Sequence, residues 1–408
     1  MSKELKQEVA IRYITENFLD SERLRRDVVS NKVQMLDEMP TSKEPKPYWR
    51  NLADADINDM VCACVQETGV GVTAREMQTV LNSHHVPHVH PLRDYVMRSH
   101  ETFPYSHEQP DWIEWLASKV KVEGDQAYWI ECFRKWFVAM VAAWMRDDKV
   151  NQQVLVLLGP QGIFKTTWLD YLLPPELRDY ECKMANASTL NKDERLRIAE
   201  YGLINLDEID AMSPKELNVM KSVITASSVN ERAAYALTKE NKPRLASFCA
   251  SGNKEEFLTD LTGNRRWLPF KVVSIEDPFI TMIPYEQVYA QAYWHFINGY
   301  QYWFVHDDIE ELEKHNEEFR AQENEEQLIP VFLDRPTDDD REWLRTAEVS
   351  DLLVTKGGIK RPMALSRLGI CMRQAGFEEK RTKDGRGWIV RRRSDEEVRE
   401  LRKRLAIE

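Results

Sequence analysis

The middle of the sequence contains the run Val154-Leu155-Val156-Leu157-Leu158-Gly159-Pro160-Gln161-Gly162-Ile163-Phe164-Lys165-Thr166-Thr167. Its leading run of Val and Leu predicts a strand that is buried on both faces. A glycine-bearing turn follows, and Lys165 begins a predicted helix that ends before Pro174-Pro175. A strand, a glycine-bearing loop and a helix in this order are the context of a phosphate-binding P-loop.

A P-loop binds phosphates through its backbone amides and the start of the helix, through a lysine and through a hydroxyl that holds Mg²⁺. The predicted nucleotide-binding residues are Gly159, Gln161, Gly162, Ile163, Phe164, Lys165, Thr166 and Thr167. Lys165 would reach the β- and γ-phosphates, and Thr166 would bind the metal, so the expected cofactors are ATP and Mg²⁺. A plain strand–turn–helix corner with a solvated lysine, or a decayed P-loop, is the open alternative.

One residue departs from the motif, because G-x-x-x-x-G-K-[ST] has glycine where this chain has Phe164. Glycine there allows a close approach of the backbone and a φ that residues with a β-carbon resist. We expect Phe164 to have a negative φ and to pack its ring against the aromatic face with Trp136 and Phe137, or against Trp168. The loop would then still bind ATP.

Acidic residues follow a second predicted strand, at 203–206. An ATPase needs an acid at the tip of a neighbouring strand for Mg²⁺ and a base that aligns the attacking water. Asp207 and Glu208 have these residue types and this position. Asn253 ends a third predicted strand and could orient the water between Lys165 and Glu208. A solvated acidic turn and a turn asparagine are the alternatives.

Composition bounds the class of protein. The 408 residues carry a net charge of −12, with a pI of about 5.4, which excludes a globally basic nucleic-acid coat. Six scattered cysteines include no C-x-x-C pair, and the N-terminus lacks an apolar signal core. The longest apolar region, around Phe137–Trp144, is too short for a membrane span. We therefore expect a cytoplasmic protein with no membrane partner.

Two further clusters have ordinary explanations. His84, His85, His88 and His90 lie close enough in sequence to suggest zinc, but prolines interrupt the run and no acidic or cysteine partner has ligand spacing. We favour a loop there. The aromatic residues between Gln126 and Asp147 fit one wide face of a long helix, and we expect them in the core rather than on a base-stacking surface.

The ordered set of motifs resembles the virulence-associated protein E family, a branch of the superfamily 3 helicase-like ATPases of phages and mobile islands. The resemblance runs from about His90-Pro91-Leu92-Arg93-Asp94-Tyr95 to Trp267-Leu268-Pro269-Phe270. It rests on Gly159-Pro160-Gln161-Gly162, Lys165-Thr166, Glu208-Ile209-Asp210, Asn230-Glu231-Arg232 with Tyr235, Ser251-Gly252-Asn253 and Gly263-Asn264-Arg265-Arg266-Trp267. Asp210 matches an acidic position of the family, but no role for it follows from the sequence.

The resemblance implies an AAA+-like core that hydrolyses ATP as a homo-oligomeric ring, a hexamer, and moves on single-stranded DNA. Thr166 with Asp207 would then serve Mg²⁺, Glu208 the water, and Asn253 the sensor position. Arg265 or Arg266 would be the finger inserted into the neighbouring subunit's site.

DNA contacts are expected at two places. The hairpin before the sensor strand contacts DNA in such helicases, and Lys239, Lys242 and Arg244 would grip phosphates there. A polar hairpin tip is the alternative. The C-terminal segment resembles a winged helix with a wing at 380–388, which would bind duplex origin DNA. A purely structural or protein-binding wing is the alternative.

The expected fold class is α/β, with a P-loop AAA+-like ATPase core, a helical N-terminal region and a C-terminal winged-helix-like module. The expected divisions are a mixed helix and hairpin region at 1–90, a helical region at 91–150, the ATPase core at 151–305, an acidic linker at 306–340 and the winged-helix-like module at 341–408. The expected function is an ATP-dependent DNA helicase or translocase that acts in replication of a phage or mobile genetic element. The alternatives are a nucleotide-binding replication regulator and a DNA-binding protein with a degenerate, non-hydrolysing P-loop.

Overall fold

In a computed structural model of the protein, the apolar run at 154–158 forms a strand in which every side chain is buried. The structure describes residues 3–38, 47–184, 192–231, 240–258, 264–320, 324–337, 340–359, 362–383 and 385–405. The chain divides into two compact units. The first consists of Met1–Glu255 and Arg265–Asn316, and the second of Glu256–Asn264 and Glu317–Glu408.

The first unit contains helices and strands that alternate along most of its length. Its helices are α1 (Lys3–Ile14), α2 (Asp54–Thr68), α3 (Ala74–Leu81), α4 (Pro91–Thr102), α5 (Trp112–Ala117), α6 (Gln126–Met145), α7 (Lys165–Asp170), α8 (Lys192–Glu200), α9 (Pro214–Thr225), α10 (Tyr285–Ile297) and α11 (His306–Asn316). Its strands are β1 (Leu24–Asp27), β2 (Lys32–Asp37), β3 (Tyr48–Asn51), β4 (His88–Val89), β5 (Val120–Val122), β6 (Val154–Leu158), β7 (Glu181–Met184), β8 (Leu203–Leu206), β9 (Ser228–Glu231), β10 (Glu240–Pro243), β11 (Ser247–Gly252) and β12 (Trp267–Ile275).

A six-stranded sheet with the order β5-β12-β6-β11-β8-β7 forms the centre of this unit. The strands β12, β6, β11, β8 and β7 are parallel, and β5 pairs antiparallel at the edge. Leu158 lies opposite Gly252, and Leu206 lies opposite Ala250. The residues that follow β6, β8 and β11 therefore meet at one edge of the sheet. In open parallel sheets, ligands bind at this edge, where the strand order reverses.

The long helix α6 packs its aromatic residues into the core, as its sequence predicts. Trp129, Phe133, Trp136, Phe137 and Trp144 are buried. Each tryptophan also donates a hydrogen bond from its indole nitrogen to a backbone carbonyl, at 2.9 to 3.1 Å. A buried indole N–H needs such a partner. This face is fully used by packing inside the protein.

The N-terminal residues form a smaller sheet with the order β3-β2-β1-β4 and three helices around their own core. Helix α1 is followed by a π-helical turn, and β1 and β2 form a hairpin, so the helix and hairpin character expected for residues 1–90 is present. Asp27 is fully buried and accepts a hydrogen bond from the hydroxyl of Tyr180 at 2.9 Å. This bond ties the small sheet to the turn before β7.

The second unit has its own core of buried apolar residues that includes Trp388 and Val390. Its helices are α12 (Asn324–Phe332), α13 (Thr346–Gly357), α14 (Leu365–Gln374) and α15 (Asp395–Leu405). Its strands are β13 (Leu333–Asp334), β14 (Glu342–Arg345), β15 (Glu378–Thr382) and β16 (Gly385–Arg392). Strand β16 pairs with β13, β14 and β15, always antiparallel. The segment expected as a wing, 380–388, lies in the hairpin formed by β15 and β16.

One predicted segment differs from the structure. The acidic linker expected at 306–340 is wrong, because α11 belongs to the first unit and α12 buries Ile329 and Val331 in the core of the second. The high charge of this segment lies on the exposed faces of helices. In the hairpin expected before the sensor strand, β10 pairs with β9. Residues 232–239 lie outside the described residues.

Candidate functional site

The loop between β6 and α7 has the backbone conformation that its glycines permit. Gly159 has a φ of 147°, and a β-carbon there would lie 2.7 Å from the carbonyl oxygen of Val272. Gly162 has a φ of 86°, with open space around it. Gly159 is therefore required both for its φ and for the close approach of β12. Ile163 packs against the main core instead of facing the loop's ligand side.

Phe164 does not have the expected negative φ. Its φ is 67° and its ψ is 17°, which is the left-handed region that glycine favours. A residue with a β-carbon pays roughly 1–2 kcal/mol there. The ring is half-buried and packs against the main core cluster, which contains Trp136, Phe137 and Trp168, and it lies edge-to-face with Phe279, 6.2 Å between centroids. At Phe164 the loop therefore has a backbone conformation that a glycine would adopt without strain.

Lys165 is buried at the start of α7 and points back into the loop. Its Nζ donates to the carbonyl oxygens of Gly159 and Pro160, each at 2.7 Å, and to Oδ1 of Asn253 at 3.3 Å. Burial lowers the pKa of this ammonium, while the charge of Asp210 acts in the opposite direction. A lysine held this way brings a positive charge to the centre of the loop.

Three oxygen-bearing side chains from three elements meet beside Lys165. The Thr166 hydroxyl donates to Oδ1 of Asp207 at 3.2 Å and lies 2.9 Å from Oγ of Ser251. Ser251 in turn donates to the same Asp207 oxygen at 2.6 Å. The sequence reasoning missed Ser251 as a functional residue. Its signal was a hydroxyl two residues before Asn253, at the end of the strand next to β6.

Glu208 follows directly and is exposed, with a φ of 54°. A non-glycine residue in this region is uncommon and is often found at functional sites. The conformation turns the chain sharply after β8, so Asp207 and Glu208 both line the same cavity.

Asp210, for which the sequence suggested no role, anchors the loop after β11. Its Oδ1 accepts the backbone N–H of Asn253, and its Oδ2 accepts that of Lys254, both at 3.2 Å. Gly252 must be glycine here, because a β-carbon would lie 2.8 Å from the Asp210 carboxylate. Asp210 thereby fixes the position of Asn253 against Lys165.

A polar network behind the site links α7 to the sheet. Asp170 of α7 accepts hydrogen bonds from Asn205 at 3.0 Å and from Lys183 at 2.7 Å. Burial and the adjacent Asp170 carboxylate raise the pKa of Glu181 to about 8. Because Asn205 lies two residues before Asp207, this network holds the helix α7 and the acidic tip of β8 in fixed relative positions.

These residues enclose one cavity of about 360 Å³ at the carboxyl edge of the central sheet. It is lined by Gln161, Gly162, Phe164, Lys165, Thr166, Thr167, Asp207, Glu208, Ser251, Gly252 and Asn253. A hydroxyl and a carboxylate beside a lysine suit Mg²⁺, which usually binds through one or two carboxylates plus phosphate oxygens. Thr166 and Asp207 therefore fit the metal of a bound nucleotide.

The predicted arginine fingers lie outside this cavity. Arg265 is exposed and makes no hydrogen bond or ion pair with the residues that the structure describes. Arg266 is half-buried, and its Nε is enclosed without a partner among the described residues. Burial, and then the charge of Arg265, lower the pKa of Arg266.

The three residues predicted to contact DNA on the β9–β10 hairpin differ in their placement. Lys239 lies outside the described residues. Lys242 is largely buried and pairs with Glu200 at 3.5 Å. Arg244 is wrong as a DNA contact, because it is 1% exposed and its guanidinium donates to backbone carbonyls, including Ala246 at 3.1 Å. Burial lowers its pKa to about 9.

The described part of the chain has neither a cluster of metal ligands nor a helix that could span a membrane. It contains no group of three or more His, Cys, Asp or Glu side chains arranged to hold a metal ion. Among the clustered histidines, His90 caps α4 by accepting the N–H of Arg93 at 3.3 Å. Within the same ranges, none of the helices has the length and apolar character to cross a membrane.

Comparison with known proteins identifies one matching family. The virulence-associated protein E-like domain matches residues 104–321. No curated protein matches the chain. The solved structures that are similar include the apo structure of the NrS-1 C-terminal region (305-718), with 12% identity, a TM-score of 0.46 and coverage of 94% of this chain and 98% of that one. An A form of the same region has 12% identity, a TM-score of 0.45 and coverage of 94% and 99%. These TM-scores are too low to establish a shared fold.

Proposed function

This chain belongs to the virulence-associated protein E-like domain family, and we propose that it is an ATP-dependent DNA helicase or translocase. We further propose that it acts in replication of a phage or another mobile genetic element. The observation that carries the proposal is the meeting of Lys165, Thr166, Asp207, Glu208 and Asn253 around one cavity. They come from three neighbouring parallel strands and the loops that follow them.

The positions of these residues suggest a separate role for each of them. Lys165 would leave the carbonyl oxygens of its own loop and bind the β- and γ-phosphates. Thr166 and Asp207 would hold Mg²⁺, which when bound neutralises the charge that develops on the phosphates. Glu208 is the exposed carboxylate of the cavity and would accept a proton from the attacking water. Asn253, fixed through Asp210, would orient that water.

The strand arrangement supports an AAA+-like core. The phosphate-loop strand β6 lies between β12 and β11, and the acidic strand β8 is the next neighbour of β11. Ring assembly would complete the site, since Arg265 is exposed, has no partner among the described residues and could reach a neighbouring subunit's nucleotide. An arginine supplied this way stabilises the charge of the transition state.

DNA contact is supported by the second unit more than by the β9–β10 hairpin. The order β14, α13, α14, β15, β16 is that of a winged helix, with the β15–β16 hairpin as the wing. Lys380, Arg381, Lys383 and Arg386 are all exposed on this hairpin. Such charges bind phosphates without reading sequence.

The proposal is tested by nucleotide binding and DNA-stimulated turnover. Lys165→Ala should abolish ATP binding, because no other described cation lines the cavity. The matched control is Lys121→Ala, which removes an exposed lysine from β5 of the same sheet and should bind ATP normally. The parent should hydrolyse ATP faster with single-stranded DNA. ATP binding without turnover would instead support a nucleotide-binding regulator. DNA binding without ATP binding would support a DNA-binding protein with a non-functional P-loop.

A further inference from the structure

The loop between β12 and α10, residues 276–284, exposes large apolar side chains beside the nucleotide loop. Phe279 is 66% exposed, Ile280 77% and Met282 91%. The loop is nevertheless held in one shape by Asp277, whose Oδ1 accepts the N–H of Phe279 at 2.9 Å. Its backbone carbonyl also accepts the Thr281 hydroxyl at 2.8 Å. A fixed loop that presents apolar side chains to solvent marks a binding surface.

The position of this loop relative to the cavity indicates its ligand. Strand β12 lies on one side of β6, whereas β11 and β8, which lead to Asn253 and Glu208, lie on the other. The ring of Phe279 lies 6.2 Å from that of Phe164, which lines the cavity, and 5.9 Å from that of Tyr171. An aromatic surface thus borders the cavity on the side away from the catalytic acids.

A bound nucleoside triphosphate has its reacting phosphate at one end and its base at the other. The reacting end must lie near Glu208, so the base must lie away from β8 and β11. We propose that Phe279, supported edge-to-face by Phe164 and Tyr171, is the stacking platform for the nucleobase. This inference rests on the proposed function, since it extends the same site. It also gives Phe164 a purpose, as the support of the platform.

The chemistry of the loop predicts weak selection among bases. The Asp277 carboxylate and the Thr281 hydroxyl are engaged within the loop itself. Its outward side chains Phe279, Ile280 and Met282 have no hydrogen-bonding groups. Stacking tolerates any base because every base has a π-face. We therefore expect ATP and GTP to bind with similar affinity, and CTP more weakly because its ring is smaller.

The experiment measures the affinity of the full chain for ATP, GTP and CTP, and for inorganic tripolyphosphate as a probe without a base. Phe279→Ala should weaken ATP and GTP binding by roughly 5- to 150-fold, the range for loss of one base–aromatic stack. Its tripolyphosphate affinity should stay at the parent value. Phe279→Trp, which keeps a stacking ring, should retain ATP affinity. Trp303→Ala is the matched control, since it removes another exposed aromatic (53%) and should change neither.

The outcomes separate this inference from the proposed function. Equal ATP affinity in parent and Phe279→Ala, with tripolyphosphate still bound, would overturn the platform alone. The same result combined with a smaller assembly mass for Phe279→Ala would also overturn it and assign Phe279 to a contact between subunits. A strong preference for one purine over the other would overturn selection by stacking. A parent that binds neither ATP nor tripolyphosphate would overturn the proposed function and the platform together.

Discussion

The left-handed conformation of Phe164 predicts that glycine is more stable than alanine at this position, the reverse of the usual order. At most positions glycine is less stable than alanine, because it has more conformational freedom to lose on folding. At a φ of 67° the order should reverse, since alanine has a β-carbon that this region disfavours. Comparing Phe164→Gly with Phe164→Ala removes the ring in both variants, so the difference isolates the backbone.

The expected difference can be worked out from the two opposing effects. Alanine at 164 bears a conformational cost of roughly 1–2 kcal/mol, and glycine loses about 0.5–1 kcal/mol through its freer unfolded chain. Phe164→Gly should therefore be more stable than Phe164→Ala by about 0.7 kcal/mol. Relative to the parent, Phe164→Gly should be less stable, because the net backbone gain of about 0.7 kcal/mol does not offset the lost edge-to-face contact with Phe279, about 0.5–1.5 kcal/mol, together with the lost packing of the ring on the core.

The assay is thermal unfolding of the full chain with and without MgATP. A control pair at Asn218, an exposed position inside α9, should show the ordinary order, with alanine more stable than glycine by about 1 kcal/mol. The stability difference between the glycine and alanine variants should thus have opposite signs at positions 164 and 218. If alanine is also the more stable residue at 164, the loop does not have a left-handed residue there, and the backbone conformation described for this loop is refuted.

Three further predictions concern the surroundings of the site. Asp210→Ala should slow ATP hydrolysis more than it weakens ATP binding, because Asn253 loses the carboxylate that anchors its backbone. The hydrolysis rate of Asp210→Asn should lie between those of Asp210→Ala and the parent. Equal turnover in all three proteins would refute the anchoring role of Asp210. The pKa of Glu181 is raised to about 8, so the stability that its protonated form contributes at acid pH is lost as the pH rises towards 8. Glu181→Gln should therefore melt at a higher temperature than the parent at about pH 8, but not at about pH 5. A difference in melting temperature that does not depend on pH would contradict this. Arg265→Ala should bind ATP but hydrolyse it slowly, and mixing it with Lys165→Ala subunits should restore activity; mixed rings without recovery would argue against a finger between subunits.

The sequence predicted the elements that carry the site because their signals are local. The apolar runs at 154–158 and 203–206 form strands that are buried on both faces, as their composition predicts. Asp207 and Asn253 follow strands whose carboxyl ends meet, so their convergence follows from parallel pairing alone.

The site features that the sequence did not predict depend on contacts between residues distant in the chain, and a local sequence pattern does not indicate such contacts. Arg244 has the charge of a DNA contact, yet the carbonyls that surround it come from α9 and from Asn151. Ser251 and Asp210 acquire their roles only when β8 and β11 are neighbours. The φ of Phe164 was predicted with the wrong sign, because the loop geometry outweighs the preference of one residue.

ATP turnover by the parent and by Glu208→Gln, measured with Mg²⁺ and single-stranded DNA, tests whether this chain is a DNA-stimulated ATPase. The parent should turn over ATP only with Mg²⁺ and faster with DNA. Glu208→Gln should bind ATP with the parent affinity, yet hydrolyse it at least about 100-fold more slowly, as expected when a general base is lost. Turnover by Glu208→Gln at the parent rate, or a parent that binds MgATP without hydrolysing it, would contradict the account.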